Sequence, residues 1–210
     1  MKLPLLITAL LLTAAPAAAK ELPNTIEVVI ESTASRGLPT DLLRQKAQEG
    51  LSKGVPLQQV ESVLTRMSQD LDRAEVLLST DDAALLNAAA RALRLGASES
   101  SVLALYRLDE GVRVKSLNAL SDLLAVGLGA NQSVQLVRGV ATSPSGHKHL
   151  TQIAVLVATR ISRGSTPAAA AADVSTNLGV VSEVSGGPGQ SQNAVKAWVT
   201  GKAKGGKKRR

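Results

Sequence analysis

The chain has 210 residues, no cysteine, almost no aromatic side chains and a formal net charge of +7. Without cysteine there are no disulfides, thiolate metal sites or cysteine nucleophile, and no lipid-modified cysteine to anchor the chain. With one Trp, one Tyr and no Phe, the core falls to Leu, Val, Ile and Ala, a composition that suits packed helices better than a β-sandwich.

Residues 1–19 read as a cleavable secretory signal: Lys2 is the charged region, 3–13 the apolar core, and Ala17-Ala18-Ala19 a small-residue cleavage site. Pro4 and Pro16 bracket an apolar run shorter than the roughly 20 residues a membrane span requires. Secretion without disulfides fits a bacterial periplasm or exterior, and no transmembrane segment is expected once the signal is removed.

A helical domain is expected over 20–183. Ser35-Arg36-Gly37-Leu38-Pro39 recurs as Ser52-Lys53-Gly54-Val55-Pro56 and, more loosely, as Ser162-Arg163-Gly164-Ser165-Thr166-Pro167. A cation suits the negative end of a helix, Gly supplies a left-handed stop, and Pro opens the next helix. The first helix is expected from an Asn24 cap to about Ser35. The second starts at Pro39 and Thr40, with Asp41 in its first turn and Lys53 in its last. Pro56 opens the third and longest. Its apolar positions Leu57, Val60, Leu64, Met67, Leu71, Ala74 and Leu78 step by 3 and 4, as in a long packed helix or a short coiled coil.

Thr80 is read as the cap of the fourth helix, with Asp81 and Asp82 in its first turn, Arg91 and Arg94 in its last, and Gly96 as its stop. The fifth runs from Ser98 to around Asp109 to Gly111. The sixth runs from about Val112 to Val126, closed by Gly127 and Gly129, and Asn131 caps a short seventh. After Ser143-Pro144-Ser145-Gly146 an eighth helix is expected to reach Arg163. Its stretch 153–158 is apolar on all sides, as in a helix buried by several neighbours. Pro167 opens an alanine-rich ninth, fading near Asn177.

These signals predict an all-α fold: about nine short helices in antiparallel hairpins, forming an irregular solenoid-like helical repeat or a compact bundle. The spacing of the glycine stops matches two-helix repeats, although no tetratricopeptide or ankyrin consensus can be read. Residues 184–194 form a Gly/Ser linker by composition. Beyond it, 195–210 is a basic tail with a single Trp, expected to be disordered. With Lys2 removed the chain is +6, and Lys202, Lys204, Lys207, Lys208, Arg209 and Arg210 alone supply that charge. The high pI therefore belongs to the tail.

Sites for chemistry are sparse. His147 and His149 flank Lys148 and lack the i, i+4 spacing of a helical metal pair. The acidic pairs Asp70 and Asp72, Asp81 and Asp82, and Asp109 and Glu110 read as solvated faces or helix-dipole compensation rather than as a matched acid and base. No Gly-x-Ser-x-Gly elbow or phosphate loop is present. Neither a cofactor nor a metal is implied.

The expectation is a secreted or periplasmic, non-enzymatic helical scaffold that binds another protein or an envelope component. One alternative is an electrostatic adaptor whose six tail cations bind a polyanion such as anionic lipid, lipopolysaccharide or DNA. In that case Trp198 is a candidate anchor at a membrane interface or on a base. The other is an enzyme whose site forms only in three dimensions.

Overall fold

The computed structural model describes residues 22–143 and 146–180. The proposed signal, linker, Trp198 and basic tail lie outside the described residues. Among those described the chain is all-helical, with α1 (Asn24–Ala34), α2 (Asp41–Ser52), α3 (Leu57–Leu78), α4 (Ala83–Arg94), α5 (Glu99–Tyr106), α6 (Glu110–Ala125), α7 (Ala130–Thr142), a 3-10 turn (Gly146–Lys148), α8 (Ile153–Ser162) and α9 (Pro167–Asn177). No strand occurs among the described residues.

The helices fall into two layers. The odd-numbered helices α1, α3, α5, α7 and α9 lie side by side, and α4, α6 and α8 pack beside one another across them, while α2 flanks α3. Two contacts show that alternate helices run the same way: Arg91 near the end of α4 pairs with Asp122 near the end of α6, and Arg36 beyond α1 pairs with Asp72 late in α3. The core is aliphatic and alanine-rich, including Ile26, Leu43, Leu64, Leu86, Leu105, Leu120 and Val137. On α3, Val60, Leu64, Met67, Leu71, Ala74 and Leu78 are all buried, as the 3-and-4 spacing requires, whereas Leu57 at its start is 40% exposed.

One corner closes six helices. The N–H of Gly37, Gly54, Gly96, Gly127, Gly164 or Gly179 bonds to the carbonyl three residues back, and the next N–H to the carbonyl five back, at 2.8 to 3.4 Å. This pair of bonds is the Schellman motif, and it satisfies carbonyls that the helix end leaves open. The glycines hold φ between +65° and +96°, where a Cβ would clash. The residue after the glycine turns inward: Leu38, Ala97, Leu128 and Val180 are buried. The next helix then begins within one or two residues, from Thr40, Pro56, Ser98, Gly129 or Thr166.

The other corners are built differently. Ser79 closes α3 at φ +48°, the one non-glycine residue with positive φ among those described. Asp82 then caps α4, accepting from Ala84 N–H at 2.8 Å and Leu85 N–H at 3.1 Å. Between α5 and α6, Arg113 donates to Leu108 O at 2.9 Å and lies 4.9 Å from the centre of the Tyr106 ring, a cation–π contact across the turn.

Several boundaries differ from the sequence reading. Asn24 is already helical and Pro23 precedes the helix as N-cap, with no side-chain cap. Thr80 Oγ1 accepts from Asp82 N–H at 3.2 Å and so shapes the approach to the cap rather than forming it. The fifth helix stops at Tyr106 and the sixth begins at Glu110. Gly129 is the N-cap of α7, at φ −61°, and not a stop. Asn131 lies inside that helix, which has 13 residues. The eighth segment is split, with α8 proper starting only at Ile153. Pro56 and Pro39 precede their helices, and only Pro167 occupies the first helical turn. Proline suits these positions because its fixed φ serves the entry to a helix as well as its first turn.

Candidate binding surface

The longest helix also carries the most open face. On α3, Gln59, Ser62, Val63, Arg66, Gln69, Arg73 and Val76 are exposed. Most are 3 or 4 residues apart, and together they spread over the side of the helix turned away from the buried stripe. Val63 is 47% and Val76 77% exposed. The sequence reading weighed only the apolar stripe of this helix and passed over both valines. Their signal was present, since each falls off the 3-and-4 spacing of the core positions.

Two grooves border this face. The first, about 290 Å³, lies between α2 and the early part of α3, with Val55, Val60, Val63 and Leu64 as its apolar lining and Lys46, Glu49 and Lys53 around it. Glu49 bridges the two lysines, accepting from Lys46 Nζ and Lys53 Nζ at 2.6 Å each. Those two bonds hold its carboxyl at about 2. The i, i+3 and i, i+4 spacing of the trio gives the ladder away in the sequence. Gly50 leaves room for α3, since a Cβ there would stand 3.0 Å from Val60 Cγ2.

The second groove, about 540 Å³, is lined by Gln69, Asp72, Arg73, Val76, Leu77 and Glu99. Arg73 Nη2 pairs with Glu99 at 2.9 Å and ties α3 to α5 along its wall. Behind it a polar relay locks α1 to α3. Arg36 donates to Ser68 Oγ, Thr33 and Ser68 share a 2.7 Å hydroxyl contact, and Thr33 donates to Val29 O at 2.8 Å. Arg36 also pairs with Asp72 at 3.0 Å. Thr33 and Ser68 are buried, so this relay satisfies groups that would otherwise weaken the helix interface.

The acidic pairs separate in three dimensions. Asp72 faces Arg36, while Asp70 is half-buried on the α4 side instead of lying on a solvated face. Arg94 Nη1 lies 3.9 Å from Asp70 Oδ2, close enough for attraction but beyond hydrogen-bond reach, so this buried oxygen has no donor. Burial raises the Asp70 pKa, opposed by Arg94 and Arg73. Asp82 is engaged as a helix cap, and Asp109 holds the N-cap position of α6. His147 falls in the 3-10 turn and is exposed, with His149 just past it, half-buried. Among the described residues no group of three His, Cys, Asp or Glu is placed to hold a metal ion. Ser116 Oγ and Asn87 Oδ1 are buried without partners, but neither lines a groove described here.

No described helix is long and apolar enough to cross a membrane. Comparison with protein-family models, with curated proteins and with solved structures finds no match for the chain.

Proposed function

We propose that the protein is a secreted or periplasmic, non-enzymatic scaffold that binds another protein or an envelope component through the outer face of α3. The observation that carries this reading is Val76. A valine 77% exposed on α3, lining a groove walled by an interhelical ion pair, offers an apolar contact ringed by polar groups, as an interface with an apolar centre and polar rim does. Val63 and the α2–α3 groove extend the same face toward the start of the helix.

The test is a comparative pull-down from an envelope extract with the wild-type chain and Val76→Asp, after circular dichroism confirms equal helicity. A component retained by the wild type and lost by the variant supports the reading. Identical retention by both overturns it.

A second reading places binding in the tail cations Lys202, Lys204, Lys207, Lys208, Arg209 and Arg210, with Trp198 as anchor. What favours it is that the charges of residues 22–180 cancel, so the body would not compete for a polyanion. Removal of residues 201–210 should then abolish a salt-sensitive association with anionic vesicles or DNA. Unchanged association would end this reading.

A further inference from the structure

The layer that holds α3 continues through α5, α7 and α9. These last three helices carry two carboxylates, and both are engaged. Glu99 pairs with Arg73 of α3 at 2.9 Å, and Asp173 with Arg160 of α8 at 2.8 Å. Two arginines of the same elements are free. Arg107, which closes α5, and Arg138, one turn before the end of α7, are exposed. Their guanidinium groups make no ion pair or hydrogen bond among the described residues, with Asp109 and Glu110 of α6 included. By contrast Arg36, Arg44, Arg73, Arg91, Arg94 and Arg160 each face a carboxylate.

The two arginines hold one position in two successive hairpins. Arg107 follows Gly96 as Arg138 follows Gly127, eleven residues on in each case. Helices α4 and α6 run the same way and turn through the same glycine corner, so α5 and α7 are parallel too, and they pack against each other. Arg107 and Arg138 therefore leave neighbouring helices at one level, about 8 to 10 Å apart, the usual spacing of packed helices. Two residues before each, Leu105 and Leu136 are buried. A two-residue step crosses to the far side of a helix, so both arginines turn away from the core. A cation at Arg107 suits the end of α5, but Arg138 lies a full turn inside α7, and neither packing nor pairing accounts for it.

We infer that the surface bound through α3 continues across α5 and α7, and that its partner is an acidic protein setting a carboxylate against each of Arg107 and Arg138. A guanidinium fork takes a carboxylate through two parallel hydrogen bonds. Nucleic acid is the poorer match. Such sites commonly engage about six to ten phosphates and stack bases on aromatic rings. Here there are two cations, and the one ring on these helices, Tyr106, already carries Arg113 at 4.9 Å. The rest of the face is uncharged. A groove of about 100 Å³ between α7 and α9 is lined by Gln132, Gln135, Ala168 and Ala172 among others, which suits a protein surface better than a phosphate backbone. This inference rests on the binding role given to α3.

The probe is fluorescently labelled poly-L-glutamate, titrated with the full chain at low salt and read by anisotropy. Arg107→Glu with Arg138→Glu should weaken binding about tenfold. Lys115→Glu with Arg163→Glu makes the same change in net charge at exposed positions of the opposite layer, and should weaken it less than about twofold. Every variant keeps the basic tail, so the contribution of the tail is constant, and circular dichroism checks helicity. Arg107→Gln with Arg138→Gln should give a smaller loss in the same direction. Equal losses from the two charge reversals reduce the effect to net charge and overturn the inference, as does no loss from the arginine pair. An equally large loss on duplex DNA makes this a phosphate surface and overturns it too. Val76→Asp separates the two readings in the envelope pull-down. A component lost on Val76→Asp yet kept by the arginine variant overturns this inference and leaves the α3 role standing. Poly-glutamate binding that needs the arginine pair, with no component lost on Val76→Asp, keeps the acidic partner and removes α3 from its contact.

Discussion

Helices α3 and α8 solve the same packing problem in opposite ways. In α3 the apolar residues of the 3-and-4 stripe are buried in all but the first, Leu57, while Val63 and Val76 stand off the stripe and face outward among polar side chains. In α8 seven of ten positions are apolar, yet only Ile153, Ala154 and Val157 are buried. Beyond Leu57 the stripe of α3 is fully covered by its neighbours; in α8 Leu156, Ala158 and Ile161 are only half-buried and Val155 is 65% exposed. Burial in a helix is decided by what lies across from it as well as by its own residues.

The largest effect expected from this contrast is in the core stripe. Leu64→Ala, at a site with no exposed surface, should cost about 2 to 5 kcal/mol of stability, whereas Val76→Ala on the outer face of α3 should change it by no more than about 0.5 kcal/mol. Denaturant melts of the two variants measure the difference, and similar losses would mean that the outer face is not free. Next comes the joint between α7 and the end of α9. Gly139→Leu should cost about 1 to 3 kcal/mol, because the new side chain must displace Val180. A Tm equal to that of the wild type would show that Val180 is not held there.

Smaller again is the cap of α4. Asp82→Ala should lose about 1 kcal/mol and Thr80→Ala less, since Asp82 accepts two amide bonds and Thr80 only one, at 3.2 Å. An equal loss from both would return Thr80 to the role of cap.

The smallest effects are in pH dependence, and they have opposite signs. Glu49 sits at about 2 against an ordinary 4.5. Its contribution is therefore present above pH 4.5 and fades as pH falls toward 2. Asp70 is raised above its ordinary 3.8 by burial. Its cost is absent below pH 3.8 and appears as pH rises through the folded-state value. Asp70→Asn should consequently leave the Tm at pH 7 unchanged or slightly higher, while Glu49→Gln should lower it slightly. Thermal melts from pH 2 to 7 distinguish the two, and a marked loss of Tm in Asp70→Asn would mean that attraction to Arg94 outweighs burial.

Existence and order of the helices were legible in the sequence, because Gly stops and 3-and-4 apolar spacing act locally. The limits of elements were less so. Thr80, Asp81 and Asp82 are all plausible caps, and only the path of the chain selects the one whose carboxylate reaches Ala84 and Leu85 N–H. Gly127 and Gly129 look alike as letters, yet one closes a helix at positive φ and the other opens the next at φ −61°. The outer face of α3 was partly legible, since its polar stripe is periodic. Its grooves were not, because α2 and α5 form their walls. Nor could the sequence show that Asp70 and Asp72, two residues apart, look toward different helices.

The glycine corners also bear on how this chain can change length. In four of them a single residue separates the glycine from the N-cap of the next helix. Adding one residue within such a corner, without room to loop it out, would turn the following helix by about 100°, carrying its apolar stripe out of the core. Among the described residues between α7 and α8 no such glycine corner occurs. Insertions and deletions should accumulate there and be purged at Gly54, Gly96, Gly127 and Gly164, so that length variation along this fold is set by corner type rather than by exposure.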